Sequence, residues 1–216
     1  KSWAPVYEGR DEEMARYAMA IDLNRCVNCK ACNAACKETN AVPIGHFRNW
    51  VTRKQSSRLT EENGAPSHDF YYQPMQCQHC DNPECVTVCP TGASVKMDDG
   101  TVQIDPEACI GCQMCMSACP YGVRYLDEER GVVDKCTLCH DRVEQGELPQ
   151  CVVNCVGMAK WFGDLDEGVD SFQGACGKTL GDFVQPYDPA TDVYQLEDSG
   201  NGPAFVYILR NHTWQG

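Results

Sequence analysis

Tyr17 to Asp22 alternates in the manner of a strand. Ala93 to Met97 and Thr101 to Ile104 are two further strand-like runs, joined by Asp98-Asp99-Gly100, a tight-turn signal because glycine accepts positive φ. Val123 to Leu126 and Val132-Val133, with Gly131 between them, predict a second hairpin. Asn63-Gly64-Ala65-Pro66 reads as a loop inside a long connection, residues 37 to 76, that lacks cysteine. The longest apolar run, Ala204 to Leu209, falls far short of the roughly 20 residues that span a bilayer, so the chain is not expected to cross a membrane unaided. These patterns describe small ribbons rather than a large core.

Cysteine changes that picture. The chain has 216 residues and 17 cysteines, far above ordinary globular usage. They fall in four groups: Cys26, Cys29, Cys32, Cys36; Cys77, Cys80, Cys85, Cys89; Cys109, Cys112, Cys115, Cys119; and Cys136, Cys139, Cys151, Cys155, with Cys176 left over. An odd count in tight groups does not suit a disulfide framework. Structural zinc sites pair CxxC units across a long loop, a pattern that only the fourth group, taken alone, approaches. The first and third groups instead run C-x2-C-x2-C-x3-C, the bacterial ferredoxin spacing. Asp22 to Cys36 overlays Asp105 to Cys119 with all four cysteines, the leading Asp and the last Ala in common, which indicates a duplicated unit.

A cubane cluster needs four converging thiolates. A C-x2-C-x2-C loop delivers three, and in two-cluster ferredoxins the last cysteine of each run crosses to the other cluster, often followed by Pro, as Pro90 and Pro120 follow here. The expected sets are therefore Cys77, Cys80, Cys85 with Cys119; Cys109, Cys112, Cys115 with Cys89; Cys26, Cys29, Cys32 with Cys155; and Cys136, Cys139, Cys151 with Cys36. Four 4Fe-4S clusters are the cofactors this implies, and four clusters without a catalytic constellation describe an electron wire rather than an enzyme. His79 and His140 stand beside ligand cysteines, but each set already has four thiolates, so packing or hydrogen bonding is their expected role. Lys37 follows Cys36 and is read either as a cation raising a cluster potential or as a solvated side chain. Gly174 to Thr179 ends like a phosphate loop, yet Phe172 stands where its first Gly belongs, and that motif is discounted.

The formal net charge of -13 argues against a nucleic-acid partner. Arg48, Arg53, Lys54 and Arg58 form one basic stretch, read as a solvated loop face in preference to a docking patch. Residues 163 to 216 carry nine acidic residues against Lys178 and Arg210, and this tail is expected to be too polar for a core and to wrap the cluster domain or a partner. The fold class is thus α+β: a duplicated bacterial-ferredoxin-like fold with short β-hairpins, cysteine loops and short helices, an inserted loop region and an extended C-terminal tail. Its expected divisions are an N-terminal extension (1–15), an outer ferredoxin-like unit (16–36 with 126–165), the inserted connection (37–76), an inner unit (77–125) and the acidic tail (166–216).

Arg16 to Cys36, Cys77 to Ala93, Cys109 to Tyr125 and Lys135 to Cys155 resemble the four-cluster ferredoxin-like subunits of the complex iron-sulfur molybdoenzymes, most closely those of polysulfide, thiosulfate and tetrathionate reductases. The resemblance implies a subunit that carries electrons between a molybdenum or tungsten bis-pterin catalytic subunit and an integral-membrane quinone-reactive subunit or cytochrome. It implies anaerobic respiration and a peripheral position on the periplasmic side of the membrane, the cytoplasmic side being the alternative. A soluble polyferredoxin that shuttles electrons between enzymes is the competing reading. Val156 stands where Pro usually follows the fourth group's last cysteine. The first residue is Lys1 rather than Met, which either a removed export signal or an artificial start of the sequence would leave.

Overall fold

The computed structural model describes residues 15–62, 65–184 and 186–216. The expected N-terminal extension lies almost wholly outside them, as do Asn63 and Gly64. Strand β1 (Tyr17–Asp22) passes through a single 3-10 turn into the first cysteine loop and helix α1 (Ala31–Thr39). Strands β2 (Asn49–Glu62) and β3 (Ala65–Gln76) follow. The second and third cysteine groups carry the one-turn helices α2 (Glu84–Thr87) and α3 (Met114–Ser117), with hairpin β4 (Ser94–Lys96) and β5 (Val102–Ile104) between them. Hairpin β6 (Tyr125–Asp127) and β7 (Val132–Asp134) leads to α4 (His140–Val143), α5 (Gln150–Val153) and β8 (Lys160–Asp164). The chain closes with α6 (Leu180–Phe183), β9 (Val193–Tyr194) and β10 (Val206–Ile208).

Both small hairpins stand where the turn residues predict them, each antiparallel, with Gly100 at φ +79° and Gly131 at φ +68° in their turns. The Asp99 carbonyl accepts the Tyr17 amide at 2.9 Å, so the first hairpin's turn is fastened to β1.

The main sheet has the order β8-β1-β10-β9. β1 runs antiparallel to β8, from Tyr17 opposite Asp164 to Ile21 opposite Lys160, and parallel to β10, with Ala20 opposite Val206. Being central, β1 is covered on both faces: Ala18, Met19, Ala20 and Ile21 have no exposed surface. Trp161, Phe172, Phe205 and Tyr207 are likewise fully buried, each contributing roughly 1.5–3 kcal/mol by leaving water.

Two expectations are corrected here. The C-terminal segment is not a polar wrap: β10 is an inner strand of the main sheet, and Phe205 to Ile208 are fully buried. None of its acidic residues lies in β9 or β10, while the short apolar run Ala204 to Leu209 enters the core. The inserted connection is not a loop region either. Most of it is a long antiparallel ribbon, with Asn49 opposite Gln76 and a register irregularity between Gln55 and Leu59, and Ala65 and Pro66 belong to β3. Among the described residues no helix is long and apolar enough to cross a membrane.

Candidate metal centres

The first cysteine loop turns back on itself through Asn28 at φ 55° and Lys30 at φ 63°, which brings Cys26 and Cys29 beside Cys32 on α1. α1 packs on α5, and Cys155, just beyond α5, completes the wall of one cavity with Cys26, Cys29 and Cys32. A second cavity is lined by Cys36, Cys136, Cys139 and Cys151. In a third group the Cys80 thiol faces Cys77, Cys85 and Cys119. Cys109, Cys112 and Cys115 lie around α3, which packs on α2, the helix immediately before Cys89. Gly111 (φ +66°) permits that last loop, because a Cβ there would meet the Gly131 carbonyl oxygen at 2.4 Å. Cys176 is exposed and stands apart from the four groups.

Neighbouring groups form a row. Cys151 faces Cys32 of the first set, Cys136 faces Cys77 of the third, and the Arg124 guanidinium faces Cys85, Cys77 and Cys115, linking the third set to Cys115 in the α3 loop.

Hydrogen-bond donors aim at the sulfurs. Backbone amides reach Cys155 (from Ala159, 3.2 Å), Cys136 (from Leu138, 3.4 Å), Cys89 (from Ser94, 3.4 Å) and Cys109 (from Val133, 3.4 Å). The third set uses side chains instead: Arg124 Nη2 donates to Cys85 at 2.7 Å and Asn201 Nδ2 to Cys80 at 3.0 Å. Burial is the main force on three of these thiols, pushing Cys26 up to about 11 and Cys80 and Cys151 up to about 12, with facing cysteines adding to it. Without metal such thiols keep their protons; iron supplies the positive charge that lets four thiolates coexist, and its binding releases those protons. Arg124 Nε and Nη1 are buried with no hydrogen-bond partner, as donors toward inorganic sulfide would be. The donor sets, the space and the orphaned donors all fit cubane clusters.

Several single residues differ from expectation. Lys37 neither approaches a thiol nor lies solvated: its Nζ donates to the carbonyls of Val42 (3.3 Å), Pro43 (2.8 Å) and His46 (2.8 Å) and sits 4.8 Å from the Phe47 ring centroid. Arg48, counted in a solvated basic face, is half-buried in a two-point ion pair with Asp134 at 2.9 and 3.0 Å, and it faces Cys36. The side chain of Arg58 lies outside the described residues. His79 is buried and stacked on Phe205, with Nδ1 accepting the Val102 amide at 2.9 Å. Burial and the nearby cations Lys135, Lys96 and Arg124 hold it neutral. His140 lies 3.3 Å from Asp99 and 3.5 Å from Glu144. Around Gly174 to Thr179 the chain makes a small turn against buried Phe172, whose carbonyl accepts the Leu180 amide at 2.8 Å.

Sequence reasoning missed Arg124, Lys135, Lys160 and Asn201. A charged residue in a short run near a cysteine group reads as surface, and Asn201 lies in a loop far along the chain from Cys80. Because a hydrogen bond to sulfur favours the more negative, reduced cluster, Asn201→Leu is expected to lower the potential of one cluster, that of Cys80. An EPR-monitored redox titration checks this, and an unchanged set of potentials would refute it.

Residues 68–165 match a family model described as a 4Fe-4S dicluster domain, and residues 25–93 match a second model of the same description. Fold and site together define an iron-sulfur electron carrier with four 4Fe-4S clusters. The chain is 39% identical over 193 residues to the thiosulfate reductase electron transfer subunit of Salmonella typhi, covering 89% of this chain and 91% of the relative. It is 43% identical over 152 residues to a tetrathionate reductase subunit of Salmonella typhimurium, covering 70% and 59%. To a subunit of the anaerobic dimethyl sulfoxide reductase of Escherichia coli it is 40% identical over 155 residues, covering 70% and 75%. The chain therefore belongs to the family of iron-sulfur electron-transfer subunits of these reductase complexes.

Proposed function

We propose that the sixteen grouped cysteines hold the clusters as Cys26, Cys29, Cys32 and Cys155; Cys36, Cys136, Cys139 and Cys151; Cys77, Cys80, Cys85 and Cys119; and Cys89, Cys109, Cys112 and Cys115, in that order along one row. Electrons pass along it between a molybdenum or tungsten bis-pterin catalytic subunit and a quinone-reactive membrane subunit or cytochrome, in anaerobic respiration at the periplasmic side of the membrane. The clusters supply one-electron exchange; the chain supplies their spacing, their insulation and the charge around them.

The observation that carries this reading is where the row is open. Among the sixteen cysteines only Cys29 and Cys112 are exposed, and they belong to the first and last sets. Each end also presents apolar side chains to solvent: Val27 (65%) and Val156 (70%) at one, Ile110 (66%) and Met114 (50%) at the other. Exposed apolar surface beside a terminal cluster suits a docked partner, while the covered middle sets keep electrons from leaving on the way. The resemblance to molybdoenzyme subunits supports the nature of the two partners and the side of the membrane.

Anaerobic purification of the native complex, with iron and acid-labile sulfide analysis and mass spectrometry of its subunits, tests the proposal. About sixteen irons per chain, a molybdenum- or tungsten-containing partner and a membrane partner are expected. The fully loaded chain recovered alone would mean a soluble shuttle instead. Labelling of the complex by a membrane-impermeant reagent in intact cells tests the side.

A further inference from the structure

Among the described residues, three cations that are buried or half-buried have a carboxylate close by. Arg16 and Lys96 meet Asp81, and Arg48 meets Asp134. Three others do not. Lys160 and Lys135 are 1% and 0% exposed and Arg124 is 6% exposed, and among the described residues none of the three forms an ion pair with Asp or Glu. Burying an unpaired cation is costly, so each should have a counter-charge.

Position supplies it. Lys160, on β8, donates to Gln76 Oε1 at 3.0 Å and lines the same cavity as Cys26, Cys29, Cys32 and Cys155 of the first set, with Cys151 and Cys136 of the second set also favouring its charge. Lys135 donates to the carbonyls of Val102 and Cys136 and faces Cys77, Cys136 and Cys85, cysteines of the second and third sets. Arg124 donates to Cys85 and to Ser94 Oγ at 3.0 Å and faces Cys77 and Cys115, cysteines of the third and fourth. Each gap in the row thus has one buried cation.

We propose that Lys160, Lys135 and Arg124 are charge-bridging residues, one per gap, whose fixed positive charges offset the repulsion between neighbouring reduced clusters and let more than one electron occupy the row at once. This rests on the ligand sets proposed above. A four-thiolate cubane carries about two negative charges when oxidised and about three after taking one electron. In a chain of net charge -13 such neighbours repel strongly through a poorly screening interior. A cation between two sets lowers the energy of both reduced forms and most of all that of the doubly reduced pair. No bond forms or breaks: the electron enters from the reduced partner at one end and leaves to the oxidised partner at the other.

Lys160 gives the cleanest test because its hydrogen bond goes to Gln76 and not to sulfur. Lys160→Met and Lys160→Arg are made in the intact complex, iron is counted, and potentials are measured by EPR-monitored titration. With full iron retained, Lys160→Met is expected to lower the electron affinity of the first two clusters about tenfold, about 59 mV for a one-electron step. The cluster of Cys109 should stay unmoved and Lys160→Arg should restore the potentials. Full iron with all four potentials unchanged, or an Arg variant shifted as far as the Met one, would overturn the proposal. If Lys160→Met loses iron, Lys135→Met is read in the same way at the second gap; iron loss in both would assign the lysines to folding and also overturn it. Failure of the ligand sets would be seen separately, as cysteine variants that remove the wrong cluster signals.

Discussion

Cys119→Ala is expected to remove the cluster of Cys77, Cys80 and Cys85, although Cys119 belongs in sequence to the third group. The thiol of Cys80 faces Cys119, and Cys85 faces it as well, across the packed pair α2 and α3. Alanine offers no donor, so three thiolates remain where a cubane needs four. Iron should fall from about sixteen to about twelve per chain, and the EPR signal lost should be the one lost in Cys80→Ala. A 3Fe-4S signal with about fifteen irons would identify the same ligand by a milder route. Loss of the signal that Cys112→Ala removes would instead show that the chain does not cross between clusters here. Electron flow through the complex should stop when the cluster is lost, because the missing site is internal to the row and the outer clusters have no second path.

Arg210→Ala is expected to cost about 3–5 kcal/mol of stability, the penalty for leaving a buried charge without its partner. Asp22 has no exposed surface, and Arg210 Nη2 lies 2.9 and 2.8 Å from its two carboxylate oxygens. The clamp is reinforced by Asn24, whose side chain accepts the Arg210 amide at 2.8 Å and donates to the Arg210 carbonyl at 2.9 Å. These contacts join the end of β10 to the end of β1, immediately before the first cysteine loop. Urea unfolding of the loaded protein, followed by loss of cluster absorbance, should show a lower midpoint. Asp22→Asn combined with Arg210→Met should recover part of the loss, since neither charge is then stranded. An Arg210→Ala protein as stable as the parent would mean that the last strand contributes little.

The local chemistry of the sites was legible from residue spacing. A C-x2-C-x2-C run can only close into a tight loop, and Asp99-Gly100 can only turn sharply, because both are governed by the reach and dihedral limits of a few consecutive residues. The cysteine groups and both small hairpins therefore stand where the chain's own pattern puts them. The ribbon of β2 and β3 was less visible, since its polar and aromatic residues read equally well as a connection.

Tertiary structure alone decided which distant residues other than the cysteines join the sites. β10 lies beside β1 although Ala20 and its partner Val206 are separated by most of the chain, and Asn201 reaches Cys80 from the same late segment. Acidic composition hid that strand, because an average over the segment conceals six apolar residues at its end. Lys37 and Lys160 make the contrast plain. The first is next to a cysteine in sequence yet binds loop carbonyls, and the second faces four cysteines drawn from both ends of the outer unit. Sequence by itself determined the kind of donor and the local loop, since those are short-range properties. Which charges lie against which sulfurs depends on long-range pairing of strands and on burial, and neither is written in any local run of residues.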